Sequence, residues 1–304
     1  MEKRSRPFRR CLAVALPVLL LGACHSVPPA ALRTEAAERL AQQAGLQALA
    51  LASAPLPLRG FARLGCPGAD IAVYIEGDGY AWVTAGQPST DPTPVAPVAL
   101  RLAVLDPACN LVYLGRPGQY GSAAVGVRYW TDARFAPEVV DSYVTALRQL
   151  RAGNGGGRLH LTGFSGGGAV AALAAARLAG DAEGGVTLRT VAGNLDVAAW
   201  VQQRRLTPLR ASLNPADEAQ ALAMIPQLHL AGQRDRQVAT TVLESYLAKL
   251  PARDCVAVRF VDAAHGGPWE EAWRAVLPSL PACVPLPDVT GPVVAPAGSV
   301  PPSR

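Results

Sequence analysis

Arg158-Leu159-His160-Leu161-Thr162-Gly163-Phe164-Ser165-Gly166-Gly167-Gly168-Ala169-Val170-Ala171 changes its period at the centre. Arg158 to Thr162 reads as a strand, and Gly166 to Ala179 as an Ala-rich helix. Between them Gly163-Phe164-Ser165-Gly166-Gly167 fits G-x-S-x-G. A strand that runs straight into a helix needs a sharp turn. That turn strains the serine backbone and tolerates only small neighbours. It lifts the Ser165 hydroxyl above the sheet edge and leaves the Gly166 N–H free to hold an oxyanion. The bare pattern is weak in a Gly-rich chain; the strand before it and the helix after it make it specific. Gly166 to Ala171 also fits G-x-G-x-x-A, a dinucleotide-binding pattern. That pattern belongs to the first βα unit with an acid closing the next strand, whereas here two strands come earlier.

The flanking sequence alternates in the same way. Ile71 to Glu76, Leu111 to Leu114, Val186 to Ala192, Gln227 to Ala231 and Val256 to Val261 are short β-rich runs. A helix over Asp132 to Leu150 has Phe135, Val139, Tyr143, Leu147 and Leu150 at helical spacing, and Trp269 to Val276 begins a closing helix. Such alternation predicts an α/β fold with a mostly parallel central sheet and helices on both faces. Ligands then sit beyond the carboxyl ends of the strands.

A serine nucleophile needs a base, and the chain has four histidines. His25 lies near the N-terminus, and His160 and His229 fall within strands. His265 alone sits in a loop past a strand end, in Val261-Asp262-Ala263-Ala264-His265-Gly266-Gly267. It is the expected acid–base group. The carboxylate that orients it is expected to be Asp235, in the loop after 227–231; Asp262 and Asp196 are the alternatives.

The order Ser165, Asp235, His265 resembles the triad of the α/β-hydrolase superfamily over about Leu64 to Pro281. The phrases Ile75-Glu76-Gly77-Asp78-Gly79, Gln87-Pro88-Ser89-Thr90-Asp91-Pro92-Thr93-Pro94, Arg128-Tyr129-Trp130-Thr131-Asp132-Ala133-Arg134-Phe135 and Gly193-Asn194-Leu195-Asp196 resemble those of a group of bacterial lipoprotein hydrolases. The resemblance implies an α/β-hydrolase fold and serine hydrolase chemistry without naming the substrate. A small-molecule carboxylic ester is the expected one, with amide, thioester or polyester as alternatives. The sequence has no metal signature and no phosphate loop, so no metal or cofactor is expected. The resemblance also implies a second oxyanion donor in the loop after 71–76, the N–H of Asp78 with Gly79 as runner-up. Family members often have His-Gly in that loop, so Glu76 and Asp78 depart from the pattern. Gly79, Tyr80 and Tyr120 are the expected substrate-binding residues, with Arg116, Tyr129, Trp130 and Trp82 nearby. Residues 195–225, which include Trp200, take the place of a lid and are short enough for a small cap.

Outside this domain, expected over 35–284, the sequence reads as address and tail. Lys3, Arg4, Arg6, Arg9 and Arg10 precede an apolar run that ends Leu21-Gly22-Ala23-Cys24. A basic start and a short apolar core read as an export signal over 1–23. The ending resembles a bacterial lipobox, implying lipidation at Cys24, a linker over 24–34 and attachment to the membrane through that lipid. His25 rather than Asp after the cysteine implies the periplasmic face of the outer membrane. Residues 285–304 carry Pro, Gly and Val without period and read as a disordered tail.

The net charge of +5 comes largely from the leader; without 1–23 there are 23 basic against 22 acidic residues. No basic run remains, so no nucleic-acid partner is expected. Half the residues are hydrophobic and 17% are charged, enough for a full core. Export makes disulfides possible. Placement beside strand and helix ends predicts Cys66–Cys109 and Cys255–Cys283, with buried free thiols as the alternative. A second reading of function is a non-catalytic binding lipoprotein on the same scaffold.

Overall fold

The computed structural model describes residues 27–122, 125–181 and 185–283. The expected leader, Cys24 and the 285–304 tail lie outside the described residues. In chain order the strands are β1 (Gln47–Leu51), β2 (Leu58–Leu64), β3 (Ile71–Ile75), β4 (Trp82–Thr84), β5 (Gln87–Pro88), β6 (Asn110–Leu114), β7 (Leu159–Phe164), β8 (Val186–Val191), β9 (Gln227–Gly232) and β10 (Val256–Val261). β4 and β5 form a separate hairpin; the rest make one sheet ordered β1-β2-β6-β3-β7-β8-β9-β10. β1 and β2 are antiparallel, and every neighbour pair from β6 to β10 is parallel. The chain order reverses beside β3, so a crevice opens at the carboxyl ends of β3 and β7, where such sheets bind ligands.

The helices are α1 (Ala30–Gln43), α2 (Val98–Ala103), α3 (Pro137–Gly153), α4 (Gly166–Leu178), α5 (Val197–Arg204), α6 (Ala219–Leu222), α7 (Thr240–Lys249) and α8 (Glu270–Val276). Side chains alternate along each strand. Ile71, Val73 and Ile75 of β3 join the core under α3, α4 and α7, while Ala72 and Tyr74 join the core under α1, α2 and α8. Covering both faces buries every residue of β3, β6, β7 and β8; β3 accordingly reads as a continuous apolar run, whereas β7 and β8 also bury the polar residues His160, Thr162, Thr187, Arg189 and Thr190.

The sheet and its central crossover are as the alternation implied. Strand ends differ by a residue or two, and larger differences lie elsewhere. The helix expected over 132–150 spans Pro137–Gly153, because Pro137 takes the first helical position and Phe135 packs from the preceding turn. α1 starts at Ala30, inside the expected 24–34 linker, and docks through buried Arg33, Ala37 and Ala41. β1 and β2 extend the sheet at an edge where no strands were expected. Residues 195–225, expected as a small cap, hold α5, a 3-10 turn over Pro215–Glu218 and α6. The disulfides Cys66–Cys109 and Cys255–Cys283 are present.

Candidate active site

β7 delivers Ser165 to the centre of the sheet. Its backbone has φ 53° and ψ −121°, in the left-handed region that costs a non-glycine residue energy. The turn is held by Ser165 N donating to Val191 O at 3.0 Å and by Asn194 N donating to Ser165 O at 3.0 Å. Close packing explains the motif glycines. A Cβ on Gly163 would stand 2.3 Å from Gly167 O, and one on Gly167 would stand 2.3 Å from Ile75 O.

Two neighbouring loops bring up the other residues. Beyond β9, Asp235 Oδ1 accepts from the backbone N–H groups of Gln237 at 2.7 Å and Val238 at 2.9 Å. Its Oδ2 lies 2.7 Å from His265 Nδ1. Beyond β10, backbone bonds between Ala264 and Gly267 tighten the turn that carries His265. Trp269 Nε1 donates to His265 O at 3.0 Å, and the Phe164 ring lies 5.1 Å from the imidazole. His265 Nε2 stands 2.9 Å from Ser165 Oγ. The buried carboxylate accepts a hydrogen bond from the Nδ1–H, which fixes the tautomer with Nε2 free to accept the serine proton.

The alternatives are engaged elsewhere. Asp262 is exposed and pairs with Arg234. Asp196 is buried; its Oδ1 accepts from Ala199 N at the start of α5 at 3.2 Å, and its Oδ2 accepts from the Ser245 hydroxyl at 2.7 Å. His160 pairs with Thr187 and Asp70. His229 is buried between Thr190 and Gln227, and burial drives its pKa down to about 3.

The loop after β3 lies against the elbow. Gly166 opens α4, where N–H groups have no partner within the helix. The N–H groups of Asp78 and Gly79 donate to nothing among the described residues. Glu76 turns away from Ser165. Its carboxylate accepts from Gly77 N at 2.9 Å and the Tyr113 hydroxyl at 3.0 Å, with the N–H groups of Ala99 and Leu100 at 3.4 Å. Burial pushes the Glu76 carboxyl up, although those hydrogen bonds oppose the shift. The acid that replaces the usual histidine is thus an internal strut between β3 and α2.

Asp78 points toward the elbow instead. Its Oδ1 accepts from Arg116 Nη1 at 3.1 Å, and its Oδ2 from Arg134 Nη1 at 2.7 Å. Burial alone would raise this carboxyl, but the Arg134 and Arg116 guanidiniums outweigh it and hold it below the usual carboxylate range. Both arginines are themselves buried. Arg134 Nε donates to Thr131 O at 2.6 Å, and its guanidinium lies 5.7 Å from the Trp200 ring of the cap segment. Arg116 also donates to Arg134 O. The sequence reading missed this pairing; the phrases containing Asp78 and Arg134 were visible, but not their contact.

The expected substrate-binding residues separate. Gly79 is exposed and Tyr80 half-buried on the site's rim, with Arg33 stacked 5.2 Å from the Tyr80 ring. Tyr120 corrects its expectation. It is buried, its hydroxyl lies 2.7 Å from that of Tyr113, and its ring packs on Phe61. It supports the loop from behind, because the turn at Gly118 to Ser122 folds it inward.

No protein-family model and no curated protein matches the chain. Solved structures do. The esterase LipW from Mycobacterium marinum aligns at TM-score 0.56 and 17% identity, over 81% of this chain and 84% of that one. The Pyrococcus furiosus esterase Pf2001 aligns at TM-score 0.52 and 12% identity, over 77% and 91%. A puromycin-hydrolysing peptidase of Mycobacterium tuberculosis aligns at 0.55 and 15%, over 76% of this chain and 38% of its own. Sheet order, strained elbow and these likenesses agree: the chain has the α/β-hydrolase fold.

Proposed function

We propose that this protein is a serine hydrolase that cleaves carboxylic esters of small molecules. The observation that carries the reading is the continuous path Asp235–His265–Ser165, with 2.7 Å and 2.9 Å contacts ending on a strained elbow serine. Ser165 Oγ attacks the ester carbonyl carbon while His265 Nε2 takes the hydroxyl proton. The carbonyl π electrons move onto oxygen, and the N–H groups of Gly166 and Asp78 hold that oxyanion. Collapse expels the alkoxide, which leaves with the proton from His265. A water molecule, deprotonated by His265, then attacks the acyl-serine, and the acid is released as Ser165 regains its proton. Asp235 fixes the imidazole and stabilises its protonated form throughout. No step calls for a cofactor.

Esters are chosen over amides because two of the structures that share the fold are esterases, although the fold also serves a peptidase. A panel of p-nitrophenyl acyl esters tests the reading. We expect turnover that His265→Ala lowers by about 10³-fold or more. A folded wild type that turns over no ester, amide or thioester supports the binding-lipoprotein reading instead.

We also propose that the mature chain is held by lipid at Cys24 on the periplasmic face of the outer membrane. The Leu21-Gly22-Ala23-Cys24 ending supports the anchor, and the paired cysteines support an oxidising compartment. No described helix is long and apolar enough to cross a membrane. Incorporation of radiolabelled palmitate that disappears in Cys24→Ser is the expected result; label retained in that variant contradicts it.

A further inference from the structure

A carboxylate beside an oxyanion site is an obstacle. The tetrahedral intermediate places a full negative charge against the Gly166 N–H, and Asp78 Oδ1 stands 2.1 Å from where a Cβ on Gly166 would be. Nothing in the hydrolase mechanism requires this acid, since the loop contributes only a backbone N–H. What distinguishes Asp78 is its setting. Each carboxylate oxygen takes one guanidinium nitrogen, from Arg116 at 3.1 Å and Arg134 at 2.7 Å. The two cations reach Asp78 from separate segments, Arg116 after β6 and Arg134 before α3. Two buried cations therefore face one carboxylate, and together they more than cancel its charge.

We propose that Arg116 and Arg134 are positioning residues of the oxyanion site: they pin the Asp78 carboxylate and over-compensate its charge, so that the loop presents the Asp78 N–H to the substrate oxygen in a locally positive field. The inference rests on the serine hydrolase reading and adds an electrostatic role for two residues outside the triad. The acid is the hinge of the device. Its short side chain ties the loop backbone to both arginines, and Gly166 leaves it the space. The field matters only once the oxyanion forms, so it acts on kcat rather than KM. Because both guanidiniums are buried, their field is screened less than that of surface charges.

A charge-balance cycle tests this against a purely mechanical strut. Arg134→Gln removes one cation while keeping an amide donor. We expect kcat on the best p-nitrophenyl ester to fall by about 10- to 100-fold, with KM within about threefold of wild type. Adding Asp78→Asn to Arg134→Gln removes the matching negative charge. We expect this double variant to recover to within about fivefold of the wild-type kcat. A strut loses hydrogen bonds in both steps, so it leaves the double variant as slow as Arg134→Gln or slower, and that result overturns the proposal. Unchanged kcat in Arg134→Gln overturns it as well.

Thermal melts report folding of each variant. Should Arg134→Gln not fold, Arg134→Lys carries the test, because it keeps the cation on a different stem. We expect its kcat within about fivefold of wild type; a folded Lys variant about 100-fold slower overturns the electrostatic role. Activity of the wild type separates the two levels. A wild type that neither turns over esters nor takes a fluorophosphonate on Ser165 removes the hydrolase reading and this proposal with it. An active wild type with a failed charge cycle removes this proposal alone.

Discussion

The carboxylate of Asp78 occupies the space that a side chain on residue 166 would fill, 2.1 Å from a Cβ built on Gly166. This explains why the position after Ser165 is glycine here. Gly166→Ala must push the carboxylate off its two arginines, and each partner is buried. We expect a stability loss of about 1–3 kcal/mol from the overpacking and a kcat loss of about tenfold. Urea unfolding and steady-state kinetics check the pair. Full activity with full stability shows that the loop yields freely.

Backbone strain at Ser165 predicts a separate effect on stability. At φ 53° a serine costs roughly 1–3 kcal/mol, and glycine at the same angles costs little. Ser165→Gly should therefore unfold at higher urea than Ser165→Ala, by about 1 kcal/mol or more, while both are inactive. Equal midpoints contradict a strained elbow.

The two carboxylates after the last strands have different neighbours, His265 for Asp235 and Arg234 for Asp262. Asp235→Asn keeps the shape but lets the amide favour the wrong imidazole tautomer, so we expect kcat to fall by about 10³- to 10⁴-fold. Asp262 is exposed and among the described residues pairs only with Arg234, so Asp262→Ala should stay within about twofold of wild type. The same assay measures both. A large loss at Asp262 with a small one at Asp235 reverses the assignment.

Glu76 and Asp78, two residues apart, give opposite pH signatures. Burial raises the folded pKa of Glu76. Its contribution is complete below its unfolded value of about 4.3 and is lost as pH rises through the folded value. Stability of the wild type relative to Glu76→Gln should thus fall as pH climbs above about 4.3. For Asp78, burial opposes the two guanidiniums and the guanidiniums win, lowering the folded pKa. Its contribution is present above about 3.9 and is lost as pH drops through the lowered value. The wild type should lose ground to Asp78→Asn only in that acid range. Denaturant midpoints across pH 3 to 8 read both slopes. Parallel curves for either variant contradict the corresponding shift.

The centre of the fold was legible because it is written locally. The change from strand to helix period at Gly163–Gly167 needs only neighbouring residues. That His265 stands beside Ser165 was legible from elimination among four histidines and from which loops open on one sheet edge; which of Asp235, Asp262 and Asp196 meets its Nδ1 needed the structure. What escaped is non-local or lacks an apolar stripe. α1 buries Arg33, Ala37 and Ala41, one face of small or charged residues that carries little hydrophobic signal. β1 is exposed or half-buried along its length, so pairing with β2 rather than its own pattern makes it a strand. The Asp78 clamp joins residues 38 and 56 positions apart in the sequence, which no motif spacing reveals. Tyr120 was read as a pocket residue for the same reason, since its partners Phe61 and Tyr113 lie on strands of the sheet.

The central claim is that Ser165 is activated by His265. Incubation of the folded full-length protein in detergent with a fluorophosphonate probe tests it most directly, with peptide mapping of the adduct. The account expects one label, on Ser165, with labelling lost in Ser165→Ala and slowed by about 10³-fold in His265→Ala. A well-folded wild type that takes no label, or one labelled at another residue and unaffected by either substitution, contradicts it.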